Sequence, residues 1–227
     1  MNFTKAINNA SGLLFQGLQI TVTVSLISIL IGTVIGFCSC LLGLSKWRGL
    51  RLISKFYIWV IRGTPMIVQA FIVYFGLPQL VHQLISPDFR ISAFSAGVVT
   101  LSLNAGAYLS EIFRGGISAV DKGQIEAARS LGMSSMRTMA RVTLPQATKI
   151  AIPSMVNQFI ITIKDTSILS VIGLADIVNK AKVYVGGTYQ FFETYILVAV
   201  FYLVIISILM FVSNKIEKRF NYDKKKG

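Results

Sequence analysis

The sequence predicts an all-α polytopic membrane protein, with five transmembrane helices in a single domain covering residues 1–227. Composition, charge-free runs and the placement of basic residues predict it. Hydrophobic residues make up 54% of the chain and charged residues 14%, against about 25% charged in an average soluble domain. Mean hydropathy is +0.67. Residues 6–45, 63–81, 91–110 and 194–214 carry no charge. An apolar run of about 18 residues or more is a transmembrane candidate, because about 30 Å of hydrocarbon takes about 20 residues at 1.5 Å each. The spans leave no room for a separate soluble domain.

The first span runs from about 18 to 44. Cys38 and Cys40 lie inside it, two positions apart and so on nearly opposite sides of a helix, as packing residues and not as a disulfide. Ser28, Gly32, Gly36 and Cys40 recur at every fourth place. Such a ladder of small residues lets another helix approach closely, within the subunit in preference to a dimer seam. One lysine precedes this span, and its length and flanks do not fit a cleaved signal peptide. The second span runs from about 54 to 76 and contains Arg62-Gly63-Thr64-Pro65; the third runs from about 91 to 113. The fourth, about 146 to 169, contains Pro153 and Lys164-Asp165, and the fifth runs from about 192 to 214. Pro65 and Pro153 are expected to kink their helices. No paired interrupted segments that would betray an inverted repeat stand out.

Basic residues give the orientation. Lys46, Arg48, Arg51 and Lys55 follow the first span, Arg114, Lys122, Arg129, Arg137, Arg141 and Lys149 follow the third, and Lys215, Lys218, Arg219, Lys224, Lys225 and Lys226 follow the fifth. These sixteen share one side, against Lys5, Arg90, Lys180 and Lys182 on the other. The amino terminus is therefore expected outside and the carboxyl terminus in the cytoplasm, as an odd number of spans requires. The net charge of +13 then needs no nucleic acid, and the terminal lysines suit anionic inner-leaflet lipid. The lone His82 falls in an outer loop and is given no proton role.

A water-exposed segment, about 121–145, interrupts the apolar pattern between spans three and four. Good helix formers fill 124–131, Gly132 suits the left-handed position past a helix end, and Ser134 can cap a second short helix. Pro145 suits the first turn of the helix that follows. Met133, Met136 and Ala140 recur at helical spacing beside Arg137 and Arg141. Taken alone, this pattern equally describes an amphipathic hairpin lying on the membrane.

Glu126-Ala127-Ala128, Gly132 and Val142-x-Leu144-Pro145 resemble the signature loop of ABC importer membrane subunits, with Val142 where isoleucine is usual. Further motifs narrow the resemblance to the polar amino acid importer permeases of the histidine, glutamine, arginine and cystine type. These are Arg62-Gly63-Thr64-Pro65, the run Ser102 to Tyr108, Glu111 to Gly116, Lys122-Gly123-Gln124, Leu144 to Ala147, Asn157-Gln158-Phe159 and Lys164 to Ser167. The match covers about residues 15–215, with the motifs in order. The resemblance implies a type I importer: two permease subunits, identical or homologous, two ABC ATPase subunits, and an extracytoplasmic amino acid-binding protein, in the cytoplasmic membrane of a bacterium. It implies that Glu126, Ala127, Ala128, Gly132, Leu144 and Pro145 couple the chain to the ATPase. No cofactor belongs to this chain. ATP and magnesium would bind the partner subunits, since no G-x-x-x-x-G-K-[ST] loop occurs here.

Polar residues within the spans are the candidate substrate path: Arg62, Thr64, Asn104, Tyr108, Lys164, Asp165 and Ser167. A charge at mid-membrane costs about 3 kcal/mol on insertion scales, so such residues line cavities or pair with one another. Arg62 and Lys164 also read as interspan ion pairs or as caps on broken helix ends, whereas Asp165, Thr64 and Asn104 lean towards the path. Glu111 and Arg114, three apart, read as a surface pair or a gate-side lock. The rival function is an autonomous ion-coupled carrier or channel. An intramembrane enzyme finds no H-E-x-x-H or G-x-S-x-G motif to support it.

Overall fold

The structure, a computed structural model, describes residues 3–85 and 88–224, with the side chains of 219–224 outside the description. Of the basic tail, Lys225 and Lys226 lie outside the described residues. All regular structure among the described residues is helical. Four stretches are long and apolar enough to cross a membrane: Phe3–Leu44, Met66–Leu84, Ser135–Ile172 and Phe191–Lys218. A further 26-residue helix, α5 (Ala93–Ser118), is not among them. Its Thr100, Ser102, Asn104 and Ser110 are nearly inaccessible, so this helix is wrapped by its neighbours and has less need of apolar side chains.

α1 (Phe3–Leu44) begins fifteen residues before the expected span. At 1.5 Å per residue it is about 63 Å long, twice the hydrocarbon thickness. Hydropathy marks only what lipid requires. The extra turns are held instead by Ala10 and Leu14, fully buried against Ile177, Ala181 and Val198. The small-residue ladder of α1 packs on α5, inside the subunit. A Cβ on Gly36 would lie 2.8 Å from the Gly106 carbonyl oxygen and 2.8 Å from the Leu109 side chain. Ser28 Oγ donates across the same seam to the Val98 carbonyl at 3.3 Å. Between membrane helices, where lipid is as apolar as any side chain, such close contact and hydrogen bonding replace the hydrophobic drive. Ser39, Ser54 and Ser110 extend the seam, with Ser54 Oγ donating to the Ser39 carbonyl at 2.8 Å and Ser110 Oγ to Ser39 Oγ at 3.1 Å.

The second span is not continuous. α2 (Arg48–Gly63) stops at Thr64, which is extended (φ −122°, ψ 145°), and α3 (Met66–Phe71) starts after Pro65. Proline disfavours helical geometry at the residue before it, so the element breaks where a kink was expected. A π turn, Ile72–Gly76, then leads into α4 (Leu77–Leu84), whose first turn holds Pro78. The same sequence of events recurs later. α6 (Lys122–Ser130), α7 (Ser135–Thr138) and a second π turn, Met139–Thr143, lead into α8 (Leu144–Asp165) with Pro145 in its first turn. Pro145 therefore follows a widened turn, and the chain stays helical through it. A proline ring clashes with the carbonyl four residues back, and a π turn, bonded at i→i−5, shifts that carbonyl away. The helical run also continues across Pro153.

α8 passes into a 3₁₀ segment, Thr166–Ile172. Residues 170–191, expected as an outer loop, contain instead α9 (Ile177–Thr188). Asp176 caps it, accepting from Val178 N at 3.2 Å and Asn179 N at 2.9 Å, and Ile177 N donates to Thr21 Oγ1 of α1 at 3.3 Å. α10 (Phe191–Lys224) closes the fold and leaves much apolar surface uncovered by the rest of the chain, Leu203, Val204, Ile208 and Phe211 among it. Val24, Ala70, Ala96, Leu101, Leu169 and Leu174 join α1, α3, α5 and the 3₁₀ segment into the main core.

Candidate functional site: a polar cavity and an exposed helical elbow

The break at Thr64–Pro65 places one end of α2 beside α5 and α8. Gln69, 9% exposed, holds it open: its Nε2 donates to the Ile61 carbonyl at 2.7 Å, the Thr64 carbonyl at 3.1 Å and Thr64 Oγ1 at 2.9 Å. Carbonyls that a continuous helix would satisfy are thus satisfied by one side chain. The break borders a cavity of about 370 Å³, lined by Arg62, Thr64, Asn104, Tyr108, Gln158 and Asp165 among others. Five of the seven residues predicted for the path meet here. Lys164 and Ser167 do not line it; Lys164 is exposed, and Ser167 Oγ donates back to the Lys164 carbonyl at 2.6 Å.

Arg62 is the cation of the cavity, and its partner is Glu111. Arg62 Nη1 lies 3.2 Å from Glu111 Oε2, and Arg114 Nη2 lies 2.6 Å from Glu111 Oε1. The Arg62 guanidinium also stands 5.1 Å from the centre of the Tyr108 ring, a cation–π distance. Its reading as an interspan ion pair therefore holds together with its place in the cavity wall. Asp165 has no ion pair among the described residues. Gln69 and Gln158 were not path candidates in sequence, although Gln158 stands in one of the resembling motifs.

On the water-exposed side, α6 ends as its sequence predicts. Gly132 takes φ +80°, Gly132 N donates to the Arg129 carbonyl and Met133 N to the Ala128 carbonyl. These two bonds are a Schellman motif, which requires a left-handed residue at that position. Ser134 Oγ caps α7 by accepting from Arg137 N. Glu126 and Ala127 are exposed, but Ala128 is only 6% exposed. Ala128 thus seats α6 on its own chain and is not free to meet a partner. Leu131 and Met136, 85% and 80% exposed, extend the outward face, while Met133 belongs to the elbow and not to a helical stripe. Leu144 turns inward towards Phe37 and Phe113, and Pro145 is exposed.

Residues 28–222 match the family of binding-protein-dependent transport system inner membrane components. This chain belongs to that family. Among its relatives, the arginine transport system permease protein ArtQ of Bacillus subtilis (strain 168) is 41% identical over 206 residues, covering 91% of each chain. The glutamine transport system permease protein GlnP of Escherichia coli (strain K12) is 38% identical over 217 residues, covering 94% of this chain and 95% of the relative. A crystal structure of an amino acid ABC transporter with histidines superposes with a TM-score of 0.90 at 38% identity, over 96% of this chain and 99% of that one. Inward-facing MetNI methionine transporter, at 17% identity and a TM-score of 0.73 over 92% of this chain and 97% of that one, shares the fold. As a family member the chain is a multi-pass component of a bacterial inner membrane, and it is a permease subunit without enzymatic chemistry.

Proposed function

We propose that this chain is the permease subunit of an ATP-binding-cassette importer that moves a polar amino acid into the cell. The carrying observation is that the cavity wall presents a guanidinium, Arg62, and a carboxylate, Asp165, together with the neutral polar groups of Thr64, Asn104, Tyr108 and Gln158. An amino acid zwitterion offers the complementary pair of charges whatever its side chain. Relatives named for arginine and for glutamine transport support this substrate class.

In this reading five helices cross the membrane, α5 included, with the amino terminus outside. α6 and α7 face the cytoplasm, and Glu126 and Ala127 dock into the groove of an ATPase subunit. Two permease chains bind two ATPase subunits, which hold ATP and its magnesium ion, and an extracytoplasmic binding protein delivers the substrate. Gly132 fixes the angle of α6, and the second π turn joins the docking segment to α8, which carries Gln158 and Asp165 to the cavity. Asp165 meets the α-ammonium group. Lys164, in the last turn of α8, and Ser167, in the 3₁₀ segment, are off the cavity wall in this conformation and come to the path only if the junction of the two elements turns. Purification of a tagged chain from its native membranes tests the assembly. An ATPase subunit should copurify in equal amount, and hydrolysis should rise when loaded binding protein is added. A chain recovered without ATPase and still able to transport would favour an ion-coupled carrier.

A further inference from the structure

A second cavity, of about 280 Å³, lies beside the first and is lined by Cys40, Ser54, Lys55, Ile58, Glu111 and Arg114 among others. The two are ordered along the same two helices. Along α2 and the break that ends it, the second cavity takes Ser54, Lys55 and Ile58 and the first takes Ile61, Arg62 and Thr64; on α5 the first takes Asn104 and Tyr108 and the second takes Ser110, Glu111 and Arg114. The second cavity therefore sits nearer the end of α5 that runs into the coupling segment. Arg62 lines one cavity, Glu111 lines the other, and the ion pair between them, 3.2 Å long, crosses the boundary. Arg114 holds the second Glu111 oxygen from the inner side at 2.6 Å, and the Tyr108 ring supports Arg62 from the outer side.

Resting on the amino acid reading above, we propose that Glu111 is a positioning residue that locks the passage between the two cavities by holding Arg62 across it. The pair has the properties such a lock needs. Its side chains are 41% and 29% exposed, and a half-solvated pair adds little to stability, so it opens and closes at small cost. A bidentate carboxylate caught between two guanidinium groups keeps one partner when it releases the other, so Glu111 returns to the same place. Opening merges the two cavities into one path towards the coupling segment. While the pair is closed, Arg62 cannot give its full set of donors to a substrate carboxylate, so the same contact ties access to binding.

Site-directed labelling of the assembled complex in membrane vesicles tests this. In a background carrying Cys38→Ser and Cys40→Ala, Ile161→Cys reports the outer cavity and Ile58→Cys the inner one. An impermeant thiol reagent is applied from the face that labels Ile58→Cys, so an error in the proposed orientation shows separately as labelling from the opposite face. Labelling of a rarely opened site follows its open population. Adding Glu111→Gln should speed labelling of Ile161→Cys by about two- to fivefold while leaving Ile58→Cys unchanged. The exchanged pair, Arg62→Glu with Glu111→Arg, sets a second guanidinium beside Arg114, which is less favourable. It still keeps the attraction across the boundary, so it should return labelling most of the way to the parent rate. Equal Ile161→Cys rates in parent and Glu111→Gln, or parallel acceleration of Ile58→Cys, would overturn the lock. So would an exchanged pair as open as Glu111→Gln. Because the readout is access and not uptake, a complex that labels as expected but imports no amino acid would sink the substrate reading and leave the lock standing.

Discussion

At the residue scale, the two informative carboxylates behave differently. Asp165 lies on the cavity wall without an ion pair among the described residues, so its neutralisation tests substrate contact directly. Asp165→Asn should slow uptake of every accepted amino acid by a similar factor, on the order of tenfold or more given the about 2–5 kcal/mol attached to a lost charged contact. Assembly and ATPase activity with empty binding protein should be kept. Loss of assembly, or slowing of one amino acid alone, would contradict it. Asp176 is different: it is fully buried at the start of α9. Burial pushes its carboxyl up to about 6 from 3.8, against the opposing pull of the Asn179 and Val178 N–H groups and of Lys182. A carboxyl whose folded pKa is raised favours folding below its unfolded pKa, and that contribution disappears as pH rises through about 6. The penalty at pH 7.5 is on the order of 2–3 kcal/mol. Asp176→Asn keeps an acceptor for the cap and removes the ionisation. The melting temperature of the variant relative to the parent should rise by several degrees between pH 4.5 and pH 7.5. A pH-independent difference would show that Asp176 is not buried as a charge.

At the element scale, the helix termini were the parts most legible from sequence. Gly132 and Ser134 stand where chain chemistry demands them, since a left-handed glycine and a hydroxyl cap are local requirements. Gly132→Val forces a branched residue to φ +80°, at a cost of about 1–2 kcal/mol or more, and should swing α6 out of place. Ala127→Trp adds bulk to the exposed face without touching the fold. Both should abolish uptake while the chain still reaches the membrane, and the tryptophan variant should lose bound ATPase in copurification. Normal ATPase binding by Ala127→Trp would favour the membrane-surface hairpin. Other elements were hidden. α9 was missed because Lys180 and Lys182 made it look like an exposed loop, whereas Ala181 and Val185 are buried against the fold and Asp176 caps it. The π turns had a signal that went unused: each ends directly before Leu-Pro, at Leu77-Pro78 and Leu144-Pro145. Orientation is tested on these elements too. Ser86, which would probe the other outer loop, lies outside the described residues. A cysteine at Thr188, the last residue of α9, should react with an impermeant reagent in intact cells, and one at Ser134 only after lysis; the reverse pattern would end the orientation argument.

At the scale of the whole molecule, hydropathy finds the lipid-facing helices and charge finds their order, but tertiary contacts decide the rest. α5 was legible as a charge-free run, yet its role as the central helix follows from Gly36 and Ser28 meeting it across the α1 seam. Five of the seven residues grouped from sequence as a path line one cavity, but the partner of Arg62 was not legible. Nothing in the spacing of Arg62 and Glu111, forty-nine positions apart, announces their pairing. In the proposed function this fold is moved by an ATPase acting through Glu126, Ala127 and Gly132 and is not an independent carrier. Reconstitution into proteoliposomes with the copurifying ATPase, loaded binding protein outside, and radiolabelled arginine or glutamine measures it most directly. Uptake should require enclosed ATP, the ATPase subunits and the binding protein together, and Ala127→Trp should abolish it. Uptake driven by a sodium or proton gradient in vesicles holding this chain alone would contradict it.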